Sequence, residues 1–273
     1  MLGAIMMIAS GSIHATLNAI VKGGRDAVAG RAVTDATSAI ILLPIIAFVP
    51  WPGSAWPWLA ASAAIHAVYL YALIRTYQIS DFSAAYPVLR GTAPLLTALV
   101  TVGFIGEAAT FGQLAGIAVI GAAMFAMLVG RHVSREALGW ALLTGASIAA
   151  YTVVDARGVR IAPEPASYIV WLFVTMGAVV VAMFGIVTRG ALFALAAQQW
   201  KPGVVAGAMS IVSYGLALNA FALGPTAPLA ALRETGMITA VLLSVLFLKE
   251  KVAWTRMVGA GGIFLGAVLI LVS

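Results

Sequence analysis

Ten apolar runs divide this chain, each close to the roughly 17 to 25 residues that cross a ~30 Å hydrocarbon core as a helix. They cover residues 2–22, 32–49, 57–77, 83–105, 111–130, 137–155, 166–187, 203–223, 226–248 and 254–272. Lipid offers no partner for backbone N–H and C=O groups, so runs of this length must satisfy themselves as α-helices. The connections are short and rich in turn formers or charge, as in Pro50-Trp51-Pro52-Gly53, Ser80-Asp81, Arg131-His132, Pro163-Glu164-Pro165 and Gly224-Pro225. They leave no room for a soluble domain. With 63% hydrophobic and 9% charged residues and a mean hydropathy of +1.07, the chain has too little polar surface to cover a soluble globule. An integral membrane protein is expected, with Met1 to Lys22 read as the first span rather than a cleaved leader.

The pI near 9.9 raises the question of nucleic acid, but the basic residues occur singly at the ends of apolar runs. They read as membrane anchors and orientation signals, and no nucleic-acid partner is expected. With no cysteine there is neither a disulfide framework nor a thiolate metal site. His14 and His66 have no acidic or thiolate neighbours at ligand spacing, so neither metal nor cofactor is expected.

The chain repeats itself. The same 143 residues separate Arg90 from Arg233 and Glu107 from Glu250, and the stretch Tyr71 to Val129 lies over Tyr214 to Val272 without a gap. Tyr71 with Tyr214, Leu89 with Leu232, Thr92 with Thr235 and Gly116 with Gly259 are further identities. A weaker echo at an offset of 135 joins Ser12-Ile13 to Ser147-Ile148 and Lys22-Gly23 to Arg157-Gly158. Two five-helix halves follow, residues 1–130 and 137–273. An odd number of spans per half turns the second upside down relative to the first, the inverted-repeat plan of secondary transporters. The expected fold is thus an all-α integral membrane protein of ten transmembrane helices in two inverted five-helix repeats.

Lysine and arginine set the orientation. Lys22, Arg25, Arg31, Arg75, Arg131, Arg135, Arg189, Lys201, Lys249, Lys251 and Arg256 fall on one side of a ten-span arrangement, and Arg157 and Arg160 on the other. The crowded side is the cytoplasm, which places both termini outside.

Charge inside the apolar runs marks the candidate site. Arg233 and Glu234 stand side by side in the run from Ala227 to Leu248, where an unpaired charge costs at least about 2.5 to 3.5 kcal/mol on insertion scales. Arg90, between Pro87 and Pro94, is their counterpart in the first half. His14 with Asn18, His66 with Tyr69, Tyr86 with Arg90 and Tyr151 with Asp155 each share a helix face at spacings of three or four, and Tyr214 joins them from another span. The predicted binding set is Arg90, Arg233, Glu234, Tyr86, His14, Asn18, His66, Tyr69, Tyr151 and Tyr214. Glu234 reads as the acid deep in a span, whereas Asp155 lies near a predicted helix end within reach of water. Glu107 and Glu250, in turns beside basic residues, read as capping or orientation groups. Trp51, Trp56, Trp58, Trp200 and Trp254 read as interfacial belt residues.

Each half ends on an apolar helix, an acid in a short turn and a glycine-bearing helix: Phe104-Ile105-Gly106-Glu107 with Gly112 and Gly116, then Phe247-Leu248-Lys249-Glu250 with Gly259, Gly262 and Gly266. With Tyr86-Pro87-Val88-Leu89-Arg90-Gly91 and Ala231-Leu232-Arg233-Glu234-Thr235, this pattern resembles the EamA-type members of the drug/metabolite transporter superfamily over nearly the whole chain. The orientation is a departure, because many members keep their termini in the cytoplasm. The resemblance implies a transporter, chiefly an exporter, of small metabolites such as amino acids. The inner (plasma) membrane is the expected location, and a monomer is the expected assembly. Two arginines against Glu234 favour a zwitterionic or anionic substrate. A flippase for a lipid or lipid-linked substrate is the alternative. No Gly-x-Ser-x-Gly elbow, His-Glu-x-x-His helix or Walker loop speaks for a membrane-embedded enzyme.

Overall fold

A computed structural model describes residues 1–22, 27–80, 82–131, 133–187, 192–246 and 252–273. Arg25, Asp81, His132, Arg189 and the Phe247-Leu248-Lys249-Glu250-Lys251 stretch fall outside the described residues, so the Glu250 half of the repeated acid does too.

The described residues are helical almost throughout: α1 (Leu2–Lys22), α2 (Ala27–Leu42), α3 (Trp56–Ile79), α4 (Phe82–Ala98), α5 (Phe111–Ala126), α6 (Arg135–Ile161), α7 (Pro165–Val187), α8 (Leu192–Leu223), α9 (Thr226–Leu232), α10 (Gly236–Leu246) and α11 (Trp254–Val272). A 3₁₀ turn, Arg233–Thr235, joins α9 to α10, so these two form one interrupted path. Counted that way, the described residues contain ten apolar helical segments. Seven are long and apolar enough to cross a membrane, and Leu2–Asn18, Ala32–Phe48 and Phe111–Ala126 are shorter apolar helices. Large apolar side chains such as Leu242, Phe264, Leu265 and Val272 point outward, as a lipid-facing exterior requires and a water-facing one forbids.

Local chemistry explains the boundaries. Ser134 caps α6 by accepting from the Ala137 amide, and Thr110 with Gln113 closes a reciprocal capping box on α5. Both satisfy amides that a helix start leaves without intrahelical partners. Gly106 adopts φ 79°, a left-handed turn that glycine reaches without strain, and it swings Glu107 back over the bundle. Pro87 and Pro94 do not end α4. The helix runs through both and loosens only afterwards, into a π turn over Leu99–Phe104.

α1 and α6 take the central positions. α6 packs against α3, α4, α7 and α8, while α1 packs against α8, α10 and the 3₁₀ turn. α5 lies against α11 on one flank and α2 against α7 on another. At the crossings, backbone meets backbone: a methyl group on Gly11 would strike the Arg233 carbonyl, and one on Gly145 would strike the Leu89 carbonyl and Thr92. These contacts bring the turn carrying Arg233 up to α1, and the turn carrying Arg90 up to α6. Both chain ends lie on one face, where Gly3 abuts Ala220 and Leu223 and Gly112 abuts Ser273.

Candidate functional site

Arg90 and Glu234, 144 residues apart in the chain, meet in the bundle interior. Arg90 Nε lies 2.8 Å from Glu234 Oε2, with side-chain exposures of 10% and 5%. The contact is an ion pair by distance, yet neither atom finds an aligned hydrogen bond. Arg233 is buried beside them, its Nε also without a hydrogen-bond partner, and its guanidinium carbon sits 5.2 Å from the Tyr214 ring centroid. The Arg90 guanidinium stands 5.9 Å from the Tyr86 ring. Aromatic faces attract such cations, by about 2 kcal/mol or more once desolvated, but offer no acceptor for their N–H groups. Arg90, Arg233 and Glu234 share a cavity wall with Pro94, Thr97 and Thr152. Pro94 has no N–H, so the Arg90 carbonyl loses its usual helical donor at this same place.

Rings extend the site sideways. His66 stacks on Tyr151 at 4.1 Å, Tyr69 stands edge-on to Tyr151 at 5.6 Å, and Tyr151 lies 6.4 Å from Tyr214. Of the ten predicted residues, Arg90, Arg233, Glu234 and Tyr86 are thus joined by charge, and His66, Tyr69, Tyr151 and Tyr214 by ring contacts. Tyr214 belongs to both groups. His14 and Asn18 sit half-buried on α1, one and two turns past Gly11; of the ten predicted residues, Arg90, Arg233 and Glu234 are the ones on the cavity wall.

The reading of Asp155 as water-accessible is corrected. α6 continues to Ile161, past the predicted end at 155, and Asp155 is 0% exposed. Its carboxylate accepts from Tyr168 at 2.9 Å and from Tyr214 at 2.5 Å. Glu234 is therefore not the single deep acid. Asp35 on α2 is likewise fully buried. Sequence spacing already paired Tyr151 with Asp155, but Tyr168 carried no signal, being an aromatic on a separate helix. Room for Tyr168 comes from Gly158, where a methyl group would strike its ring.

A second charged cluster ties the helix ends on the face that holds the chain termini. Arg160 donates to the Phe221 carbonyl (2.8 Å), the Gly224 carbonyl (2.6 Å), Thr226 Oγ1 (3.0 Å) and Glu107 Oε1 (2.6 Å). Glu107 also accepts from the Thr226 amide (2.7 Å) and hydroxyl (2.8 Å). Thr226 opens α9, so Glu107 is an acceptor for a free helix-start amide, supplied from the other half of the chain. Burial alone would push the Glu107 carboxyl up, but the hydrogen bonds from Arg160 and Thr226 outweigh it and hold the group below its usual range. The capping reading of Glu107 stands. On the same face Ser167 donates to the Pro50 carbonyl at 2.6 Å, and Trp51 packs on Trp56 and Trp171.

Among the described residues, no group of three or more His, Asp or Glu side chains is placed to hold a metal ion. The central cluster holds buried cations, an acid, hydroxyls and rings. Comparison with curated proteins finds no match. A solved crystal structure of another protein superposes on this one with a TM-score of 0.73 over 98% of each chain, at 16% identity, a likeness of fold alone. Residues 135–272 match the EamA-like transporter family. The chain belongs to the EamA-like transporter family and is a multi-pass membrane transporter of the drug/metabolite type.

Proposed function

We propose that this transporter moves small metabolites bearing a carboxylate, zwitterionic amino acids foremost, by alternating access around the Arg90, Glu234 and Arg233 cluster. The observation that carries this reading is Arg233, a buried cation on a cavity wall whose Nε has no partner and whose neutral cover is a tyrosine ring. A guanidinium binds a carboxylate through two parallel hydrogen bonds, a geometry lysine cannot reproduce. Thr97 and Thr152 add hydroxyls to the same wall. Glu234 offers an acceptor for a substrate ammonium.

The alternating-access part rests on the two halves, residues 1–130 and 137–273, being inverted repeats. Packing supports it at the α5 and α11 crossing. Gly116 meets the Gly266 carbonyl and Ile270, while Gly259 meets the Ala123 carbonyl and Met127. Shifting each residue of the first contact by 143 gives the second. Halves related in this way can rock about a shared site and expose it to each side in turn. Export is the direction the family likeness favours, and the charge bias favours termini outside the cytoplasm. Alkaline phosphatase fused after Ser273 is then active and a fluorescent protein there dark. The reverse pattern overturns the orientation.

The functional test is thermal-shift screening of the purified protein against amino acids, amines and phosphorylated metabolites, followed by vesicle flux of the hits. Stabilisation by amines alone, or flux that needs a lipid substrate, overturns the carboxylate reading.

A further inference from the structure

Asp155 has no part in the reading above, yet it is fully enclosed in α6, where an acid is expensive and is kept for a reason. Its two oxygens go to two different helices. Oδ1 accepts from the Tyr168 hydroxyl of α7 at 2.9 Å, and Oδ2 from the Tyr214 hydroxyl of α8 at 2.5 Å. The two tyrosines are not equivalent. The Tyr168 ring lies against Gly158, whereas the Tyr214 ring covers the Arg233 guanidinium, whose carbon is 5.2 Å from the ring centroid.

Tyr214 is gripped on several sides. Its hydroxyl is tied to Asp155, and Tyr151 and Phe173 stand edge-on to it at 6.4 Å and 6.3 Å. A ring held in this way is a fixed plate for the cation lying on it. The plate attracts Arg233 but offers no acceptor, so the guanidinium keeps its N–H groups for a ligand in the cavity. Tyr214 also keeps the two charges from satisfying each other. A buried carboxylate is the natural fork partner of a buried guanidinium. Here Asp155 Oδ2 takes the Tyr214 hydroxyl, and Arg233 takes the opposite part of the same side chain, its ring.

We infer that Asp155 is a positioning residue for the substrate-binding cation: through the Tyr214 hydroxyl it fixes the ring on which the Arg233 guanidinium is aimed. Asp155 itself touches no substrate. A substrate carboxylate then meets a guanidinium whose plane is set in advance, so less ordering is left to be done on binding. Tyr168, on the other oxygen of the same carboxylate, fastens α7 to α6 and serves packing alone. No proton is taken up or released, so the arrangement serves export as well as uptake.

This inference rests on the carboxylate reading of the central site, and two measurements keep the failures apart. The first needs no substrate. It is solid-state NMR of the full chain in lipid bilayers with nitrogen-labelled arginine, the Arg233 Nε–H signal being the one lost in Arg233→Lys. The Tyr214 ring current displaces that proton. Tyr214→Phe keeps a ring but cuts its tether, and Asp155→Leu removes the anchor at similar volume; both are expected to move or broaden the signal. Tyr168→Phe, which takes one hydroxyl from the same carboxylate, is expected to leave it in place. Should Asp155→Leu fail to fold, Tyr214→Phe against Tyr168→Phe decides. A signal unmoved in Tyr214→Phe, or moved equally in Tyr168→Phe, overturns the positioning role. The second measurement is saturation of labelled amino-acid flux in vesicles. KM should rise at least about tenfold in Tyr214→Phe, the equivalent of one charge-assisted hydrogen bond, with maximal flux per folded protein changed less than about twofold. Tyr168→Phe should melt lower with the KM of wild type. A KM unchanged in Tyr214→Phe, or raised equally in both, makes the tyrosines structural and overturns the inference. An Arg233 signal that moves in Tyr214→Phe, with no amino-acid flux in wild type, upholds the hold of Asp155 on Arg233 and sinks the carboxylate reading instead.

Discussion

Among the described residues there are two arginine and glutamate pairs, and they are built to different standards. At the end that carries both chain termini, Arg160 and Glu107 bond each other, two carbonyls, a helix-start amide and the Thr226 hydroxyl. Their side chains are 28% and 17% exposed. In the interior, Arg90 and Glu234 are more deeply enclosed but poorly aligned, and Arg233 is left with a ring for company. A buried polar network that is only partly satisfied is a stability liability, whereas a satisfied one rigidifies its surroundings. The first cluster therefore reads as a fastening between the two halves, and the second as a place kept incomplete for something else to complete.

The largest effect expected from breaking this comparison is on stability at Arg90. Arg90→Ala strands Glu234 beside a cation already turned to Tyr214 and is expected to cost about 3–5 kcal/mol, the usual range for removing one member of a buried pair. Arg233→Ala strands no acid and should cost clearly less, while abolishing flux. Denaturant melts of both variants in detergent decide this, and equal losses would remove the distinction between the two arginines. Next, Arg233→Lys keeps the charge and forfeits the planar fork. A drop in flux of at least about tenfold is expected with little change in melting, since one charge-assisted hydrogen bond is worth about 1.5–3 kcal/mol. Wild-type flux in both Arg233→Lys and Arg90→Lys takes the arginines out of recognition.

Tyr214→Phe sharpens the link between the two polar centres, because it keeps the ring over Arg233 and withdraws the hydroxyl from Asp155. A stability loss of about 1.5–3 kcal/mol is expected, the range for a hydrogen bond to a charged group. At the outer fastening, Glu107→Gln keeps the shape and loses the charge, and about 1 kcal/mol is expected, as for other helix-start acceptors near the surface. The smallest effect is that of pH on the same residue. Its folded-state carboxyl is held low, so its contribution is complete above the ordinary glutamate value of about 4.3 and fades as pH falls through the lower folded value. Melting of wild type should fall faster with acid below that point than melting of Glu107→Gln. Parallel curves would mean Glu107 is not held by Arg160 and Thr226.

Period and charge determined much of this protein from the sequence alone. Apolar runs of bilayer length can only be helices, so the segments, their order and the family likeness were legible. Arg90, Arg233 and Glu234 stood out because charge in such runs is expensive. Helical spacing also paired Tyr151 with Asp155 and His66 with Tyr69. Tertiary structure alone decided which of these groups meet. That Arg90 takes Glu234 while Arg233 is left to Tyr214 depends on how α4 and the Arg233–Thr235 turn approach α6 and α1, an approach set by backbone contacts at Gly145 and Gly11. The enclosure of Asp155 was likewise out of reach, because its partners are tyrosines on α7 and α8, and spacing along one helix says nothing about its neighbours. Arg160 shows the same limit from the other side: it reads as one of two stray basic residues in the sequence, and only the convergence of four helix ends makes it the donor that fastens them.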